Sequence, residues 1–180
     1  MPRLTRACGR LPVSAPPAGR SVSLTGMEQR ATPPDPDFAA RVRASFAQQG
    51  LMSTIGASLE LIEPGEVHIA VPFSSALSQQ HGFLHAGVTA SIADSANGYA
   101  ALTLTPPGYE VLAVEFKINL LAPARAPRLL ARGRVLRAGR RLTVCLAEVL
   151  RVDGVEHELV ATMLSTISAK PSGASGARSA

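Results

Sequence analysis

The sequence lacks an apolar run of the roughly 18–20 residues that a membrane span requires. Its longest candidate, residues 86–104, is interrupted by Asp94, Asn97 and several small polar side chains, which fits a buried helix of a soluble domain. Cysteine is nearly missing. Cys8 and Cys145 are the only two, too few for a disulfide scaffold or a cysteine-held metal cluster, so a reducing cytosol is the expected compartment. No group of His, Cys and acidic residues has metal-ligand spacing, so no metal is expected. Neither a glycine-rich phosphate loop nor a dinucleotide fingerprint occurs. Cys145 lies in an apolar stretch with no His or acid arranged to activate it, and is expected to be a small core residue rather than a nucleophile.

Charge is sparse too. Charged residues make up 17% of the chain against 46% hydrophobic, ordinary values for a globular protein and too apolar for a disordered one. The net charge of +5 hints at nucleic acid, but its location removes the hint. Arg3, Arg6, Arg10 and Arg20 lie in residues 1–26, where there is no acid, and Lys170 and Arg178 lie at the other end. The body between is near neutral, and no basic face is forced on it.

Residues 1–36 are rich in Pro, Arg, Ser and Gly without usable periodicity and are expected to be a disordered N-terminal tail. Two readings of residues 1–26 stay open: a targeting segment, because they are Arg-rich and acid-poor, or an artefact of a start at Met27. A folded domain is expected over residues 37–169, followed by a loose tail over 170–180. Phe38, Val42 and Phe46 share one helical face over 38–49, with Gly50 as the expected C-cap. Residues 57–72 form a hairpin about Pro64-Gly65. A polar loop leads into a long helix over about 85–104, stopped by Pro106-Pro107-Gly108. Strands follow over 111–121, 128–136, 141–152 and 158–168, joined by turns at Ala138-Gly139 and Asp153-Gly154. The layout is α+β: one antiparallel sheet and one main helix to cover it. That helix is built of small residues, which let a sheet approach closely. Gly98 in its middle costs about 1 kcal/mol unless close packing needs it.

Two features point to chemistry. The segment Gln79-Gln80-His81-Gly82-Phe83-Leu84-His85-Ala86-Gly87 joins a polar loop to the start of the long helix. The free amides of a helix start favour negative charge, and the small Ala86 and Gly87 let a carbonyl approach them, as an oxyanion hole requires. Asp94, inside the apolar helix, needs a partner or a purpose, since unpaired burial costs several kcal/mol. On residues alone it is either a base or nucleophile or a buried group that fixes the helix. Arg137, Arg140 and Arg141 flank the turn at Ala138-Gly139, where they either meet the phosphates of a ligand or form a solvated hairpin tip.

The run His85-Ala86-Gly87, followed by Asp94, with Val114-Glu115-Phe116-Lys117-Ile118-Asn119-Leu120-Leu121-Ala122-Pro123-Ala124 downstream, resembles the hotdog-fold thioesterases of the phenylacetate-pathway (PaaI) type over roughly residues 50–169. The resemblance implies an antiparallel sheet wrapped around one long central helix. It implies hydrolysis of an aryl or medium- to long-chain acyl-CoA to free acid and coenzyme A, without a cofactor. Asp94 would be the catalytic acid, acting as general base or nucleophile. Gln79 would orient the thioester or water, and the Ala86 amide, beside that of Gly87, would polarise the carbonyl. His85 would order the loop beside the substrate. Acid and amides would come from opposite subunits, making a homodimer obligatory, and such dimers often pair into tetramers. Two departures stand out: His-Ala-Gly replaces the family's His-Gly-Gly, and Ala113 stands where some relatives carry a water-holding Ser or Thr, leaving Ser95 or Asn97 as substitutes. The alternatives are a hydratase or dehydratase using His81 with Asp94, or a non-catalytic acyl-CoA-binding protein. No nucleic-acid or membrane partner is implied.

Overall fold

The four-residue spacing of Phe38, Val42 and Phe46 does produce a helix, α1 (Phe38–Phe46), with Val42 fully buried. It is shorter than expected, and Gly50 does not cap it. The C-cap is Ala47, and Gly50 opens a second short helix, α2 (Gly50–Thr54). The reason is tertiary. Gln49, extended between the two helices, is held by its side chain: Nε2 donates to the Tyr99 hydroxyl at 2.8 Å and Oε1 accepts from Ser95 Oγ at 3.3 Å. The computed structural model describes residues 32–173; Cys8 and the outer parts of the expected tails, 1–31 of 1–36 and 174–180 of 170–180, lie outside the described residues.

Six strands follow in the expected order: β1 (Ser58–Glu63), β2 (Glu66–Pro72), β3 (Tyr109–Leu120), β4 (Arg128–Ala138), β5 (Leu142–Asp153) and β6 (Glu156–Pro171). Alternation of buried and half-buried residues along β5, with Thr143, Cys145, Ala147 and Val149 inward, is the period-two pattern of a sheet with one covered face. At Gly65, φ is +79°, a left-handed conformation that the β1–β2 turn places on glycine. β6 runs past the expected end of the domain, because Lys170 and Pro171 pair with Glu110 and Tyr109 of β3.

The strands form one antiparallel sheet in the order β1-β2-β4-β5-β6-β3. It curls around the long helix α3 (Ala86–Leu102), which packs on all of β2 to β6. Ile92, Ala93, Ala96 and Ala100 of α3 are fully buried with Val67, Ile69, Leu129, Ala147 and Met163 of the sheet. This is the hotdog arrangement. None of the helices among the described residues is long and apolar enough to cross a membrane.

The close packing expected at Gly98 occurs at a different glycine. A Cβ at Gly98 would meet nothing within 4 Å, whereas one at Gly133 on β4 would lie 2.4 Å from the Ala96 carbonyl carbon. The backbone approach is therefore made by the strand's glycine against the helix's alanine. Asn97 also faces the sheet, donating to Ser165 Oγ at 2.8 Å.

The C-terminal end of α3 is held from outside. Arg41 of α1 donates to the carbonyls of Thr105 at 2.7 Å, Pro106 at 2.9 Å and Leu102 at 3.0 Å, and its Nε lies 3.0 Å from the Asp35 carboxylate. A cation there satisfies carbonyls that the helix end leaves open and matches the negative end of its dipole.

β3 is an edge strand. Leu112, Phe116 and Leu120 on it are 61%, 48% and 56% exposed, and Val114 beside a bulge is exposed as well. Among the described residues, one side of its backbone has no strand beside it.

Candidate active site

The polar loop before α3 is folded on itself. Gln79 accepts the His81 amide on Oε1 at 2.6 Å, and its backbone N–H donates to Phe83 at 2.8 Å. This leaves Gln79 Nε2 without a hydrogen bond among the described residues. The loop then docks, with Leu84 N–H on Ala124 O and His85 N–H on Leu77 O, and delivers the chain to the helix start.

His85 is the N-cap of α3. Its Nδ1 accepts the Gly87 N–H at 2.9 Å, which fixes the imidazole proton on Nε2. A Cβ at position 87 would lie 3.0 Å from that nitrogen, so glycine there makes room for the ring. Of the two amides expected to polarise a carbonyl, Gly87 is thus already engaged. The Ala86 N–H has no partner among the described residues. It lies in a groove of about 570 Å³ whose lining includes Gln79, His81, His85, Ala86, Leu121 and Pro123. The Ala86 N–H and Gln79 Nε2 are two unengaged donors among residues lining one groove, and such a pair can stabilise a developing oxyanion.

Asp94 lies eight residues further on, about 12 Å along the axis and about 80° around it. It opens on a different groove, of about 700 Å³, between α3, the α1–α2 corner and the start of β3. Its Oδ1 is buried without a hydrogen-bond partner among the described residues. Burial raises the carboxyl above the ordinary value of 3.8, because the charged form loses solvation. Around it stand Ser91, Ser95, Gln49 and Tyr99, with Leu51, Met52 and Ala113 as apolar walls. Ser95 is thus beside Asp94, while Asn97, the other candidate to hold a water, points into the sheet.

The remaining candidates fall elsewhere. Arg137, Arg140 and Arg141 are at the β4–β5 hairpin, near the C-terminal end of α3, and line neither groove. His81 and Asp94 line separate grooves, so one chain does not assemble the His–acid pair of a dehydratase. His68 pairs with Glu66 at 2.6 Å. Cys145 is fully buried and its thiol is pushed up to about 12 by burial, which removes it as a nucleophile. Among the described residues no group of three or more His, Cys, Asp or Glu is placed to hold a metal. One feature had no sequence signal: the α1–α2 corner forms a wall of the Asp94 groove.

Comparison with known proteins gives a consistent picture. The family model described as the thioesterase superfamily matches residues 81–157. A thioesterase family protein from Silicibacter pomeroyi is 44% identical, with a TM-score of 0.73 over 74% of this chain and 98% of that one. A protein of Saccharolobus solfataricus named as an esterase is 32% identical over 127 residues, 71% of this chain and 82% of the relative. The 1,4-dihydroxy-2-naphthoyl-CoA hydrolase of Listeria monocytogenes is 28% identical over 91 residues, 51% of this chain and 74% of the relative. The PaaI protein of the E. coli phenylacetic acid degradation operon shares the fold at a TM-score of 0.69 and 19% identity, over 76% of this chain and 95% of that one.

Proposed function

Because this chain belongs to the thioesterase superfamily, and so to the thioester hydrolases of the hotdog fold, we propose that it hydrolyses an aryl or medium- to long-chain acyl-CoA to the free acid and coenzyme A. The observation that carries this reading is the pair of groups on α3: a desolvated, unpartnered Asp94 carboxylate and a free Ala86 amide beside Gln79. The Listeria relative, named for hydrolysis of a naphthoyl-CoA, supports coenzyme A as the carrier.

In this mechanism the thioester carbonyl oxygen accepts from the Ala86 N–H and Gln79 Nε2. Asp94 removes a proton from a water, whose oxygen attacks the carbonyl carbon. The tetrahedral oxyanion gains most from donors already fixed in place. Its collapse breaks the carbon–sulfur bond, and the proton held by Asp94 passes to the departing thiolate. A carboxylate short of solvation is a stronger base than one in water, which suits proton abstraction. No cofactor takes part, since a thioester is already activated.

Asp94 and the Ala86 amide line separate grooves of one chain, with about 12 Å of helix between them, which supports a reading in which the two groups that meet on one carbonyl come from different copies. In this reading the working enzyme is a homodimer, with a tetramer as a further assembly of two such pairs. The apolar edge of β3 supports this reading, since unpaired strand edges and exposed Leu112, Phe116 and Leu120 favour a second copy. Arg125, next in the chain after the groove-lining Pro123 and Ala124, is a candidate for the phosphates of coenzyme A, whereas Arg137, Arg140 and Arg141 of the same chain line neither groove.

The test is thiol release from a panel of aryl- and C4–C16 acyl-CoAs. Release from at least one member, at a rate proportional to enzyme, is expected. Loss of the enoyl absorbance of crotonyl-CoA without thiol release would point instead to a hydratase. Tight acyl-CoA binding with no turnover over hours would point to a non-catalytic binder.

A further inference from the structure

Gly98 has no structural reason to be glycine. It sits inside α3, where glycine costs about 1 kcal/mol relative to alanine. Its φ is not positive, so the backbone does not require it. A Cβ would meet nothing within 4 Å among the described residues, so packing against them does not require it either. It follows Asp94 by one turn, and both line the same groove. Side chains on a helix tilt toward its N-terminus, so any group at position 98 would lean over the Asp94 carboxylate.

From this we infer that the missing side chain at Gly98 sets how bulky the acyl group next to the reacting carbonyl can be, making Gly98 a specificity-determining residue. This rests on the thioesterase reading above. The vacant volume adjoins the base, where the first atoms beyond the carbonyl must lie. It therefore admits an acyl group that is broad at that point, a ring or an α-branch, whereas a straight chain does not need it. The opposite walls are Leu51 and Met52 of α2 and Leu112 and Ala113 of β3. Those on α2 fall outside the segment matched by the family model, 81–157.

The experiment compares wild type, Gly98→Ala and Gly98→Val on benzoyl-, isobutyryl-, acetyl- and octanoyl-CoA. The Val variant is expected to lower the ratio of kcat/KM for benzoyl- and isobutyryl-CoA to that for octanoyl-CoA by at least about 10-fold, the scale of a misplaced methyl group in a pocket. The Ala variant should lower it less and raise Tm. An equal loss on all four substrates would overturn the inference. So would a shift to monomer in gel filtration of the Ala variant, because the glycine would then serve subunit packing. Binding of the non-hydrolysable thioether analogues of the same four acyl-CoAs, followed by calorimetry, gives the same ratios without turnover. If wild type binds the analogues but releases no thiol from the four acyl-CoAs, hydrolysis fails while the Gly98 inference is still decided by the binding ratios. If Gly98→Val changes none of those ratios, the inference fails.

Discussion

Gly133 of β4 passes so close to Ala96 of α3 that a methyl group on the glycine would lie 2.4 Å from one backbone atom of the helix and 2.6 Å from two more. Backbone atoms cannot swing aside as a flexible side chain does. Gly133→Ala should therefore push the helix off the sheet and destabilise the fold by about 3 kcal/mol, a fall in Tm on the order of 10 °C. Thermal unfolding at fixed protein concentration measures this. A Tm within a degree of wild type would mean that helix and strand are further apart than described.

The Ala86 amide can be deleted without disturbing the helix. Ala86 is the first helical residue, where proline is favoured because the N–H has no helical partner. His85 before it is extended, with ψ of 140°, the conformation a residue preceding proline prefers. Ala86→Pro should keep the circular dichroism and Tm of wild type while lowering kcat about 100- to 1000-fold, the range for loss of an oxyanion donor. Undiminished kcat in a folded variant would remove Ala86 from the mechanism.

Asp94→Asn removes the charge and keeps the shape. Thiol release should fall at least about 100-fold. Stability should move the other way at neutral pH. Burial raises the folded-state pKa above 3.8, so the native state holds the proton more tightly than the unfolded chain. The stability this contributes is present below 3.8 and is lost as pH rises through the folded-state value. Urea unfolding across pH should show the Asn variant gaining on wild type with rising pH, then holding a constant lead. In wild type the acid limb of kcat/KM should have its midpoint above 3.8. A midpoint at or below that value would show a solvated carboxylate, unlike the one described.

Much of the architecture is legible in local patterns. Alternation along β5 and the small-residue run from Ala90 to Ala101 are signals carried by neighbours in sequence, and the fold keeps both. Asp94 stands out because a carboxylate among alanines and isoleucine has to be explained. What stays hidden depends on partners far along the chain. Nothing near Gly50 says that Gln49 will bond Tyr99, 50 residues away, and break the first helix there. Nothing near Gly98 says that the tight contact belongs to Gly133. Arg41 holds carbonyls more than 60 positions away, and no local pattern marks it. The His85 ring, expected beside the substrate, takes the Gly87 amide for itself, a detail set by one side-chain rotamer.

The spacing of Ala86 and Asp94 on one helix has a genetic consequence. In a symmetric pair, each copy would lend its amide to one catalytic centre and its carboxylate to the other. Two dead alleles, one damaged at each position, would then complement when co-expressed: the mixed pair concentrates both lesions in one centre and leaves the other intact. Random mixing should restore roughly a quarter of the wild-type centres, a recovery that neither allele shows alone.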